Sequence, residues 1–175
     1  MSDFTFKITN KNQFAQLNWL ITVNLAIGII FYYFFGFSLW GPLPYIYGWF
    51  VILDILPTLL VHIQYYQANK GAVLDIDSTL HRIRYVIAKQ TLTYNFEDIE
   101  SFVRMDSWGT GIWYSFAEYR YYKLTFTDKN EIIVTSLMIK NIEYVLEPLL
   151  NRSAYKRRRP IAFIEPSRGK WHKFF

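Results

Sequence analysis

An N-terminal α-helical transmembrane hairpin, followed by a small antiparallel β-barrel that closes on a helix, is the fold class this sequence predicts. Three observations carry the expectation. From Asn12 to Asn69 the only formal charge is Asp54. Past Lys70-Gly71 the apolar residues stop running continuously and alternate with period two. From Asn151 to Phe175 eight Lys or Arg stand against one acid, Glu165. The expected organisation is a hairpin over residues 1–69, a folded domain over 70–150 and a basic tail over 151–175.

A helix rich in Ile, Leu, Phe, Trp and Tyr, with no polar face, has nothing to present to water. The first run, about Phe14 to Phe37, and the second, about Tyr45 to Tyr66, each reach the ~20 residues that a bilayer core requires. The first is also longer than the h-region of a cleaved signal, about 7–15 residues. The connector around Gly36 to Pro44 has no Lys, Arg, Asp or Glu, whereas Lys7, Lys11 and Lys70 flank the pair. The positive-inside rule then places both termini in the cytoplasm. Trp40, Tyr45, Tyr47 and Trp49 fit an interfacial belt. With no cysteine, disulfides and thiol chemistry are excluded.

The strands follow in order. Val73 to Asp77, Leu80 to Ile87, Thr91 to Phe96, Glu100 to Met105, Tyr119 to Thr127 and Glu131 to Leu137 alternate apolar and polar positions, the mark of half-buried strands. Asp128-Lys129-Asn130 reads as a hairpin turn. Ile142, Val145, Leu146 and Leu149 then fall at helical spacing, with Asn141 as a cap and Pro148 limiting the length. A barrel would remove sheet edges open to aggregation. The connection from Asp106 to Phe116 is long and aromatic, and reads equally as a functional loop or as a cover across the barrel mouth.

Asp54 is the most informative single residue. An acid within a membrane helix is costly unless it is paired or hydrated, and Pro57 frees the carbonyl of Leu53 nearby. Asp54, Thr58 and His62 share one helical face, and a turn near Trp40 puts Asn24 at the depth of Asp54. These groups either satisfy one another within the hairpin or face a second copy or another membrane subunit.

The runs Val73-Leu74-Asp75-Ile76-Asp77, Phe96-Glu97-Asp98-Ile99-Glu100-Ser101, Tyr121 to Asp128 and Ile132 to Leu137 resemble bacterial pleckstrin-homology-like domains that follow a two-helix membrane hairpin. The layout is also similar to the two-transmembrane, β-rich effectors of bacterial cyclic-oligonucleotide antiphage systems. That second resemblance implies an inner-membrane protein whose cytosolic barrel binds a nucleotide messenger and whose helices assemble to breach the bilayer. A nucleotide needs an aromatic platform and a cation. Trp108 and Trp113 could supply the first, and Arg82, Arg84, Arg120 or Lys123 the second. For Arg82 and Arg84 a solvated strand face is the default.

Lys156, Arg157, Arg158 and Arg159 are expected to lie against anionic headgroups, each attracted by about 1 kcal/mol near the surface. A nucleic-acid polymer is not expected as partner. The three histidines lack metal-ligand spacing and no nucleophile elbow occurs, so neither a cofactor nor an enzyme is expected. Three function classes remain: a ligand-driven sensor and effector, a constitutive membrane-anchored scaffold or accessory subunit that binds lipid headgroups or a partner protein, and a subunit of a transporter or channel that uses Asp54.

Overall fold

The computed structural model describes residues 4–36, 43–88, 90–108, 114–151 and 153–164. Strand β1 (Phe4–Lys7) leads into helix α1 (Asn10–Phe35), which Thr9 caps by accepting from the Asn12 amide at 3.2 Å. Gly36, at φ 65°, ends it by returning its N–H to the Tyr32 carbonyl. Helix α2 (Leu43–Phe50) passes through a π-helical turn, Val51–Ile55, into α3 (Leu56–Asn69). The turn has a local cause: the Pro57 ring would crowd the Leu53 carbonyl in α geometry, and the wider π turn relieves it. Asn10–Phe34 and Pro44–Asn69 are long and apolar enough to cross a membrane.

The remaining elements are β2 (Val73–Asp77), β3 (Arg82–Ile87), β4 (Gln90–Asn95), β5 (Ile99–Ser107), β6 (Arg120–Phe126), β7 (Glu131–Thr135), α4 (Glu143–Leu150) and β8 (Tyr155–Arg159). They form two four-stranded sheets, ordered β1-β2-β3-β4 and β7-β6-β5-β8. The expected barrel is therefore not closed. Between β4 and β5 the chain enters a 3-10 turn, Phe96–Asp98, where Asn95 and Asp98 form a reciprocal capping box. That turn carries the chain from one sheet to the other in place of a continuous ladder.

Two strands lie where none was expected. Phe4–Lys7 pairs antiparallel with β2, Lys7 opposite Val73, so both long helices stand between the first two strands of one sheet. Tyr155–Arg159, within the segment read as tail, pairs in parallel with β5. Each escaped notice for a physical reason. Four residues give too short an alternation to register, and an edge strand exposed along most of its length needs no apolar face.

Between the sheets lie Leu74, Ile76, Ile83, Phe102, Tyr122, Leu124, Phe126, Ile132 and Val134, together with Ile142 and Leu146 of α4. The last two come from the predicted helical stripe. Asn141 does not cap α4. Its side-chain oxygen instead accepts from Arg120 at 3.3 Å. In the β6–β7 turn the Asn130 backbone N–H donates to Asp128 at 2.9 Å, and this bond holds the Asp128 carboxyl below its ordinary range.

The helices are clasped to the sheets rather than tethered. Asn69, fully buried at the end of α3, donates to the Ile133 carbonyl at 2.7 Å and the Tyr85 hydroxyl at 3.0 Å, and accepts from the Thr135 amide at 2.9 Å. Burial pushes the Tyr85 hydroxyl up to about 12, only partly offset by the Asn69 bond. Gly71, at φ 71°, then turns the chain out of the helix toward β2. Asn69→Ala would leave the buried Thr135 amide without its acceptor, and is expected to lower stability by about 3 kcal/mol in unfolding of the detergent-solubilised protein. A loss within a few tenths of that of an exposed control would refute the clasp.

Candidate functional site

The Asp54 stripe meets the β domain. Asp54 sits in the π turn at 1% exposure, and its two carboxyl oxygens accept from the Ser115 backbone N–H at 2.6 Å and the Ser115 hydroxyl at 3.0 Å. Thr58 donates to the Asp54 carbonyl at 2.6 Å, as a threonine one turn on can. His62 Nδ1 and the Tyr119 hydroxyl are joined at 2.8 Å, with their rings edge to face. Tyr119 is fully buried, and that burial raises its pKa.

Ser115 and Tyr119 flank a short 3-10 turn, Ser115–Glu118, that packs on α1, on the π turn and on α3. The expected contact inside the hairpin is therefore mediated by a third element, which comes from the β domain. Asn24 does not join Asp54. Its amide donates to the Leu20 carbonyl at 2.7 Å, and its buried oxygen has no partner among the described residues.

Further along α3, Tyr65 donates to the Ala162 carbonyl at 2.7 Å, and Gln64 exchanges two bonds with Ile164. The chain after β8 thus lies along the membrane-type helix. Its start is fixed by Trp108, whose amide donates to the Arg159 carbonyl at 2.5 Å. Lys156, Arg157 and Arg158 are exposed on this edge strand, with the Arg157 guanidinium over the Tyr155 ring at 5.4 Å. Within the expected membrane-surface tail, Tyr155–Arg159 is a strand that ends beside the helices.

The predicted ligand residues do not converge. Arg82 and Arg84 are exposed on β3, where the register sets them opposite Asp77 and Asp75. This is the solvated, charge-balanced face. Arg120 and Lys123 belong to the other sheet, where Lys123 pairs with Glu131 at 2.6 Å and Arg120 reaches Asn141. Trp108 is exposed, and Trp113 lies outside the described residues. A shallow cleft lined by His81, Phe96, Glu97, Ile99, Leu149 and Leu150 contains none of them.

One cluster escaped the sequence reading. Arg104 bonds Asp106 at 2.8 Å and Glu143 at 2.7 Å, and Tyr122 donates to the other oxygen of Glu143. Burial opposes the charge on Arg104, yet its carboxylate partners hold its pKa above the ordinary arginine value. Burial and the Glu143 bond together push the Tyr122 hydroxyl well up. The available signal was a single arginine amid the apolar positions of β5. The cluster ties α4 to the sheet.

A family model described as a PH domain matches residues 5–144, and the chain belongs to that PH-domain family. The match begins in β1 and runs through both long helices into α4. No curated protein and no solved structure matches the chain.

Proposed function

We propose that this protein is a constitutive, non-enzymatic membrane anchor and scaffold of the bacterial inner membrane. Its PH-like domain is held rigidly against the bilayer, and its Lys156–Arg159 strand engages anionic lipid headgroups. One observation carries the reading. The basic strand ends on Trp108 and continues directly into Ile161–Ile164, which lies on α3 beside Gln64 and Tyr65. Four consecutive cations are thereby brought to the level where an apolar helix enters the domain.

The topology supports a membrane hairpin. Because Lys7 pairs with Val73, the apolar insert begins and ends at neighbouring strands, as an insert that crosses a bilayer and returns would. With Lys7, Lys11 and Lys70 at that end, the domain and both termini are cytoplasmic. The charges on β8 would also discourage edge-to-edge pairing of sheets, so the test must separate the two roles.

Full-length protein in nanodiscs should unfold at higher temperature with phosphatidylglycerol than with phosphatidylcholine alone, at low ionic strength. The triple variant Lys156→Gln, Arg157→Gln, Arg158→Gln should lose most of that difference, at about 1 kcal/mol per charge. Identical melting of the native chain in both lipids would sink the headgroup reading and leave edge protection.

In the second reading a cyclic nucleotide on the domain drives homo-oligomerisation and membrane disruption in antiphage defence. It needs Asp54, Thr58 and His62 to face another copy, and therefore needs the Ser115 turn to let go. Its mark would be a nucleotide-dependent rise in melting temperature of the same reconstituted protein.

A further inference from the structure

The outer faces of the long helices and their inner contacts occupy the same stretch of helix. Phe14, Leu25 and Phe34 are exposed along α1, and Ile46, Leu60 and Ile63 along the second helix. At 1.5 Å per residue, Phe14 to Phe34 covers about 30 Å and Ile46 to Ile63 about 26 Å, close to the ~30 Å of a hydrocarbon core. Yet the inner face carries groups of the PH-like domain up to Asp54, which holds Ser115. Only about 15 Å of helix separates Asp54 from Pro44. A bilayer confined to the part beyond the domain would be half as thick as any real one.

We propose that the Tyr114–Phe116 turn of the PH-like domain lies inside the hydrocarbon layer, at the depth of Asp54, as a third intramembrane element. This rests on the reading that the two helices cross a membrane. Asp54 lies eight residues before His62, about 12 Å along the helix. The Ser115–Glu118 turn spans that interval, from Asp54 at one end to Tyr119 on His62 at the other. The polar end is consistent: Glu118 pairs with Lys140 at 3.7 Å on the domain side.

Three features fit immersion. Ser107 to Ala117 contains no Asp, Glu, Lys or Arg. Tyr114 is 43% exposed and stacks on buried Phe116, with ring centres 5.1 Å apart, which leaves an aromatic surface outward. Non-helical backbone at membrane depth requires its polar groups to be satisfied by protein. The Ser115 N–H meets this requirement through Asp54. The acid in the apolar helix thereby acquires a role: it is the acceptor that lets an irregular turn enter lipid.

The absence of cysteine permits a direct test. Leu25→Cys, Tyr114→Cys and Lys129→Cys, each in the full chain in phospholipid vesicles, would be spin-labelled and exposed to oxygen and to a water-soluble nickel chelate. Leu25 and Tyr114 labels should collide with oxygen and be shielded from nickel, and the Lys129 label should do the reverse. A nickel-accessible Tyr114 label beside a shielded Leu25 label would overturn immersion while leaving the hairpin intact. Accessibility at Leu25 as well would overturn both. Should the variants not fold, a carbene precursor activated within the bilayer reads the native chain. Its adducts should appear on the tryptic peptide Met105–Arg120 and be missing from Asn130–Lys140, and their absence from the first peptide would overturn the proposal.

Discussion

Glu143→Ala is expected to cost about 2–3 kcal/mol, because it strips a partly buried arginine of one of its two carboxylates and leaves a tyrosine hydroxyl with no strong acceptor. Glu143 is 5% exposed, and the side chain of Arg104 is 16% exposed, so water can replace the lost partner only in part. Glu143→Gln keeps an acceptor for Tyr122 and should cost distinctly less. Denaturant unfolding in detergent, followed by near-ultraviolet circular dichroism, distinguishes the cases. A loss below about 1 kcal/mol for the alanine variant would mean that Asp106 alone satisfies Arg104.

Asp54→Leu should destabilise the packing of the domain on the helices by about 3 kcal/mol, since two hydrogen bonds to one carboxyl group vanish and the Ser115 amide is stranded. Ser115→Ala removes only the hydroxyl bond and should cost about 1 kcal/mol. Combined, the two changes should be less than additive, because they delete a shared contact. Cross-linking between copies should not change in Asp54→Leu if the stripe acts within one chain. A variant that keeps full stability but loses cross-linked oligomers would return Asp54 to an intermolecular role.

The sequence made some of this legible and hid the rest for identifiable reasons. Asp54, Thr58 and His62 stood out because polar groups in an apolar helix demand partners. Those partners did not, since Ser115 and Tyr119 lie 61 and 57 positions away along the chain. Alternation marked β2 to β7, although β3 begins at Arg82 and β7 stops at Thr135, inside the expected limits. Phe96 continues the alternation of β4, but it belongs to the capped turn that separates the sheets. Arg104 and Tyr122 face each other only once β5 and β6 are in register, and no pattern within either strand announces it. The basic run Lys156–Arg159 read as a tail against the membrane surface because charge is a poor guide to a strand whose neighbour supplies the ladder.

The placement of both helices between Phe4–Lys7 and Val73–Asp77 bears on how the chain is made. Phe4–Lys7 leaves the ribosome long before its neighbour Val73–Asp77 exists and, on the proposed membrane reading, must wait unpaired while the apolar pair is delivered to lipid. If only one of the two enters, these segments are stranded on opposite sides of the barrier, and a raw strand edge stays open to proteases and aggregation. On that reading a finished sheet reports that both helices were inserted correctly.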